Sequence, residues 1–327
     1  MKAIKFFAIS AMAAAMITSC SNEDELSQSN YPSDNIIRVT AGVNNAKTRA
    51  EGAGTEMKKD FSLTIVNKNA PKYTYTDKVF SKSSGDWACS ETLLWQKSDA
   101  LVDIVAFTPA QTGKFNGVYA NGSIQPIAYS VAKDQTTADD KNDLLYYYAK
   151  DFNPGESLDK GKLKIQFNHA FCMIDINVTL GTEFNKPEVL KESPIVKVTL
   201  GGTKIAANVN VTNAASVVTI SETDAATDIT TTKGSFDKAA DPEANAKSHF
   251  SCIAIPQTVG ANTFKVSLKT AGKLYEWTSD KEITLQSGYR YTLNLSMGND
   301  VVLLKGGSIS ASPWTEGDTG DKPLETD

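Results

Sequence analysis

The chain has 327 residues, 41% hydrophobic and 22% charged, enough apolar material for a packed core and too little charge for disorder by composition. Its 33 Lys+Arg against 38 Asp+Glu give a net charge of -5 without any dense basic cluster, so nucleic acid is not an expected partner. Two histidines and four cysteines supply little for metal sites or His-based catalysis, and neither an enzyme nor a cofactor is expected.

Lys2 and Lys5 precede an apolar run from Phe6 to Ile17 that is too short to span a bilayer, and small residues follow it up to Cys20. That is the pattern of an export signal. Ile17-Thr18-Ser19-Cys20 resembles a bacterial lipobox, which implies cleavage before Cys20 and attachment of its sulfur to outer-membrane lipid. The acidic run Glu23-Asp24-Glu25 resembles the signal that sends such lipoproteins to the outer face. Residues 1–19 are therefore expected to be a signal peptide and residues 20–35 a flexible tether. Beyond Cys20, the odd number of remaining cysteines (Cys89, Cys172, Cys252) argues against a disulfide framework.

Ile37, Val39, Ala41 and Val43 alternate with Arg38, Thr40 and Gly42, the period of a half-buried strand. A polar stretch from Asn44 to Thr55 follows and contains Thr48-Arg49-Ala50. Similar alternation recurs at Phe61-Leu63-Ile65 and at Tyr73-Tyr75, while Leu101–Phe107 and Leu144–Ala149 are continuous apolar runs suited to buried strands. Leu163, Ile165 and Phe167 alternate, and Ala170, Cys172, Ile174, Ile176, Val178 and Leu180 continue in the opposite parity, as a bulge near His169 would cause. Thr182–Pro194 has two prolines and no period, so a boundary is placed there, with domains over 36–182 and 183–327.

The second half alternates at Val196-Val198-Leu200, Ile205-Ala207-Val209-Val211, Phe264-Val266-Leu268 and Tyr289-Tyr291-Leu293-Leu295-Met297. Between them, Ser221–Ser248 reads as a surface insertion with one helical turn after Asp241-Pro242. Short strands at regular spacing predict an all-β protein of two tandem β-sandwiches.

No catalytic motif emerges. Gly155–Leu163 has the wrong spacing for a phosphate loop and reads as a hairpin turn. Asp139–Asp143 lacks the Gly and Glu of a calcium loop and reads as a solvated turn. His169 and His249, at strand edges beside aromatics, read as satisfied structural histidines. Trp87, Trp95, Trp277 and Trp314 are sugar-stacking candidates, although buried tryptophan is commoner in sandwiches.

Taken in order, Cys20, Thr48-Arg49-Ala50, Asp143-Leu144-Leu145-Tyr146, Phe167-Asn168-His169-Ala170, Ile253–Thr258, Gly288-Tyr289-Arg290-Tyr291 and Ile309–Gly317 resemble the Bacteroides-type fimbrillin family of surface pilins. The resemblance implies two transthyretin-like Greek-key sandwiches and a type V pilus subunit that reaches the cell surface as an outer-membrane lipoprotein and mediates adhesion. It also implies that an arginine-specific protease cuts between Arg49 and Ala50, and that subunits polymerise by donor-strand exchange with copies of themselves or with sibling subunits.

The physical logic stands apart from the family. If Ile37, Val39, Ala41 and Val43 form one core row, removing residues 36–49 opens an apolar groove with unpaired backbone that a replacement strand would fill. The expected donor is Val301-Val302-Leu303-Leu304 with Ile309; alternatively, this segment completes its own domain's sheet. A second functional reading is a monomeric lipid-anchored glycan-binding protein, which exposed coplanar tryptophans would favour.

Overall fold

The computed structural model describes residues 30–44, 55–57, 59–83, 85–110, 119–137, 142–186, 188–221, 223–304 and 309–314. Cys20, Arg49 and Ala50 lie outside the described residues, as do Asp139, Asp140 and the tail after Trp314.

The protein is all-β. The first part of the chain forms β1 (Val39–Val43), β2 (Thr55–Glu56), β3 (Phe61–Val66), β4 (Tyr75–Ser83), β5 (Asp86–Cys89), β6 (Val102–Thr108), β7 (Tyr119–Ala120), β8 (Ser123–Ile124), β9 (Ile127–Ser130), β10 (Leu145–Phe152) and β11 (Leu163–His169). Eight of these make one sheet in the order β2-β1-β11-β10-β6-β3-β4-β5. Only β1 and β11 run parallel within it. Edge strand β5 returns against β1, and Lys162 at the start of β11 reaches Asp86 on β5 at 3.4 Å, so the sheet curls around its own core. That core holds Phe61, Leu63, Ile65, Ile104, Leu163, Ile165 and Phe167.

The remaining strands are β12 (Cys172–Leu180), β13 (Ile195–Gly201), β14 (Ala206–Val209), β15 (Val218–Ile220), β16 (Ile229–Thr230), β17 (Thr232–Asp237), β18 (Lys247–Ala254), β19 (Thr258–Val259), β20 (Lys265–Thr270), β21 (Leu274–Thr278), β22 (Ile283–Thr284), β23 (Tyr289–Met297), β24 (Val302–Leu304) and β25 (Ser310–Pro313). A six-stranded sheet runs β17-β18-β12-β23-β24, with β25 also on β23; a four-stranded sheet runs β16-β13-β20-β21. Both contribute to a second apolar core, with Ile174, Ile176, Leu293 and Leu295 from one and Val198, Leu200, Val266 and Leu268 from the other.

Strand β6 is buried on both faces: Ile104 and Ala106 face the first core, Val105 and Phe107 the second. This explains a continuous apolar run with no alternation. The two cores thus share a wall, and β9 strengthens the tie by pairing with β14 in a three-stranded sheet.

Five sequence expectations change. The parity reversal around His169 is no bulge: β11 belongs to the eight-stranded sheet and β12 to the six-stranded one, so the chain changes sheets between His169 and Cys172. The changeover precedes the expected 182/183 boundary because β12 already pairs with β18 and β23. Ser221–Ser248 is not an insertion; it contains β16 and β17, and Ile229 and Ala246 are buried in the second core. The expected helical turn after Pro242 is an Asx turn in which Asp241 Oδ1 accepts from the amides of Glu243 and Ala244. Finally, a bulge after Ile195 turns Val196 outward, leaving Ile195, Val198 and Leu200 as the buried row.

Gly155–Leu163 divides into a four-residue helix, Pro154–Ser157, capped by Asn153, and a tight turn closed by Asp159 and Lys162. Lys160 and Gly161 occupy the turn with φ of 49° and 78°, the left-handed geometry that hairpin turns need. Among the described residues no helix is long and apolar enough to cross a membrane.

Candidate functional site

The N-terminal strand is built into the first core. Ile37, Val39 and Val43 are 6%, 4% and 0% exposed, and Ala41 packs half-buried beside them. Two backbone attachments hold the segment. Upstream of β1, the Ile37 amide donates to Leu93 O at 2.9 Å, and Trp95 N donates to Asn35 O at 2.8 Å. Along β1, Val39 to Val43 pair in register with Leu163 to Phe167, flanked by Leu163 N to Arg38 O at 2.7 Å and Asn44 N to Phe167 O at 2.8 Å.

The pairing of β11 is asymmetric. Its ladder with β10 comprises only His169 opposite Leu145 and Asn168 opposite Tyr146. Among the described strands, Leu163–Phe167 pair with β1 alone. On its other side, β1 forms a ladder among the described strands only with β2, through Gly42–Glu56 and Val43–Thr55. Three buried aliphatic side chains at about 1.5–3 kcal/mol each give on the order of 5–9 kcal/mol, an upper estimate because unfolded chains are themselves partly collapsed. Ala41 adds little to this, being small and half-buried.

A charged turn precedes β1. Both oxygens of Asp34 accept from the Arg38 guanidinium, at 3.0 and 2.6 Å, and Oδ1 also accepts from the Ile36 amide at 3.0 Å. These bonds, Arg38 first, hold the Asp34 carboxyl down at about 2, against an ordinary 3.8. Because the folded value is depressed, the turn's contribution is present above pH 3.8 and lost as pH falls through about 2; its exposed position keeps its effect on stability small. A carboxyl titration followed by NMR should give a midpoint near 2 for Asp34, and Arg38→Gln should move it back toward 3.8. An unshifted midpoint in that variant would discount the ion pair.

The expected donor segment lies in its own unit's sheet. On β24, Leu295, Ser296 and Met297 of β23 face Leu304, Leu303 and Val302, and β25 pairs farther along the same edge of β23. Val302 is buried, Leu304 and Ile309 pack half-buried against the second core, and Val301 and Leu303 are 49% and 59% exposed. In this conformation, then, the segment completes its own sheet.

The tryptophans serve packing. Trp95 and Trp314 are buried; Trp87 and Trp277 are half-buried with their rings edge-on to Phe61 and Phe264. Each of the four thus has a packing role of its own, and no shared coplanar arrangement of the kind a sugar-binding platform uses is found among the described residues. His249 is satisfied on both nitrogens, by Asn177 and Asp237. His169 differs from expectation: Nδ1 meets Asp143 Oδ1 at 3.0 Å, while buried Nε2 has no hydrogen-bond partner. Its ring is instead covered by Trp314, and four short motifs, those around Asp143, His169, Gly288 and Trp314, meet there. Nothing in their sequence separation announces that convergence. Cys172 and Cys252 are buried thiols, and burial pushes both well above the usual thiol range.

Among curated proteins none matches this chain. The fold is shared with solved structures at low identity. A candidate cell adhesion protein from Bacteroides ovatus superposes with a TM-score of 0.59 at 16% identity, covering 85% of this chain and 97% of that one. A fimbrial protein from Bacteroides vulgatus gives 0.54 at 16%, over 86% and 99%. The C-terminally truncated tip fimbrial protein Mfa3 from Porphyromonas gingivalis gives 0.50 at 9%, over 85% and 99%. Residues 48–314, which include every strand from β2 to β25, match the fimbrillin-like family, and the chain belongs to it.

Proposed function

We propose that this chain is a structural, non-catalytic subunit of a cell-surface adhesive fimbria, and that β1 is a plug removed before assembly. One observation carries the reading: among the described strands Leu163–Phe167 pair with β1 alone, so a cut in the β1–β2 connection frees a strand whose departure leaves five residues of β11 without a described ladder partner. Unpaired backbone beside an apolar groove recruits another strand. A second copy or a sibling subunit would fill it, with Val301–Leu304 and Ile309 as the donor. Cys20 would carry the lipid that holds the precursor at the outer membrane. The family match begins at residue 48, leaving β1 outside it.

Arg49 suits selective processing. The chain has three arginines. Arg38 is tied to Asp34 and its carbonyl accepts the Leu163 amide, while Arg290 is buried on β23. A protease needs extended, accessible backbone, so neither ladder-bound arginine is a good substrate. Treating the full chain with an arginine-specific protease should therefore give one product, starting at Ala50, followed by ladders of higher oligomers on a gel. Arg49→Ala should fold normally and form no ladders. A fully cut chain that stays monomeric, or normal ladders from the variant, would defeat the proposal.

The burial of Trp95 and Trp314, together with family membership, favours this reading over a monomeric glycan-binding protein.

A further inference from the structure

We infer that the stack of Trp314 on His169 is the clasp that retains the C-terminal strand on its own subunit. The ring centroids are 3.8 Å apart with planes 18° from parallel, and both residues are buried, Trp314 to 8% exposure. A flat ring laid face to face over an imidazole at this separation is a close, specific contact.

Beyond its four-residue antiparallel ladder with β23, the retention of β25 has few other sources. Ser310, Ala311 and Pro313 are exposed and Ser312 half-buried, so these side chains bury little apolar surface. Pro313 also lacks an amide to give to the ladder. The apolar side chains that anchor the strand are Ile309, half-buried at its start, and Trp314 at its end, whose amide donates to Gly288 O at 2.7 Å.

The other half of the clasp is fixed in place. His169 ends β11, where it pairs with Leu145, and the next amide, Ala170 N, donates to Leu144 O at 2.8 Å. The carboxylate of Asp143 can only accept, so Nδ1 carries the proton between them and the ring plane is set. The Gly288 amide donates to Phe171 O at 2.9 Å, which binds the Trp314 attachment point to the same junction. The clasp therefore joins the C-terminal strand to the place where the chain passes from the first core to the second. On the donor reading above, which this inference extends, its opening frees β25 and with it the preceding donor residues Ile309 and Val301–Leu304.

Amide hydrogen exchange on the full chain tests the clasp. Trp314→Ala should speed exchange at Ser310–Ser312 by about tenfold, the scale of a lost aromatic pair, through easier local opening. Trp314→Phe, which keeps a ring over the imidazole, should stay closer to the parent, and His169→Phe should likewise retain protection. Protection of Ile174–Val178 in β12 serves as the internal check that the second core is intact. Exchange at Ser310–Ser312 within about twofold of the parent in Trp314→Ala would overturn the clasp. Following ladder formation after cleavage separates the two ideas: faster exchange with faster ladders supports both, whereas faster exchange with unchanged ladders upholds the clasp and removes this segment as the donor.

Discussion

Val43→Asp should destabilise the uncut chain by roughly 4 kcal/mol or more and leave the matured protein unchanged. Val43 is fully buried, opposite Phe167 in the parallel ladder and opposite Thr55 on the other side. A carboxylate there enters a core that contains Phe61, Leu163 and Phe167, where it must either lose its hydration or take up a proton. The second half of the prediction is the sharper one. Residue 43 departs with the plug, so after cleavage at Arg49 and loss of the fragment, variant and parent have the same sequence. Urea unfolding before and after treatment should show a lower midpoint for the uncut variant and coincident curves for the cut proteins. Should the cut variant remain weaker, the fragment has stayed bound, and the removable-plug mechanism fails.

The contrast shows what local sequence can and cannot report. Alternation at Ile37-Val39-Ala41-Val43 and at Leu163-Ile165-Phe167 marks both strands, since each buries one face. Their partnership, parallel and separated by nine intervening strands along the chain, has no local signature, because a parallel ladder needs a long crossover. The reversed parity between Phe167 and Cys172 was visible, yet a bulge and a change of sheet leave the same imprint; only the strands on either side distinguish them. Strand β16 escapes detection for a different reason: two residues, Ile229 and Thr230, cannot display a period. The missed functional contact is of the same kind. In the sequence His169 reads as an edge histidine and Trp314 as one of four tryptophans that are either sugar platforms or core, and their stacking depends on β25 folding back along β23. Asn121-Gly122, with φ of 51° and 76° between β7 and β8, is a turn signal that composition alone carries.

The same slot viewed from its permanent wall gives the second large effect. Phe167→Ala should cost about 3–5 kcal/mol, and unlike the Val43 substitution it should persist after cleavage. Phe167 is fully buried, with its ring edge-on to Phe61 at a centroid distance of 5.5 Å, and truncation leaves a cavity that neighbouring strands can close only in part. In the uncut chain Phe167 and Val43 are register partners, so Phe167→Ala combined with Val43→Ala should cost less than the sum of the single changes, each having already loosened the same contact. Cutting abolishes the coupling because one partner has gone. A cycle of these variants, measured by urea unfolding in the uncut and cut forms, thus reads the contact between plug and groove directly. Coupling that survives cleavage means that Val43 never left β11, whereas coupling that vanishes while the Phe167→Ala cost remains identifies β11 as the fixed side of an interface whose other side is replaceable.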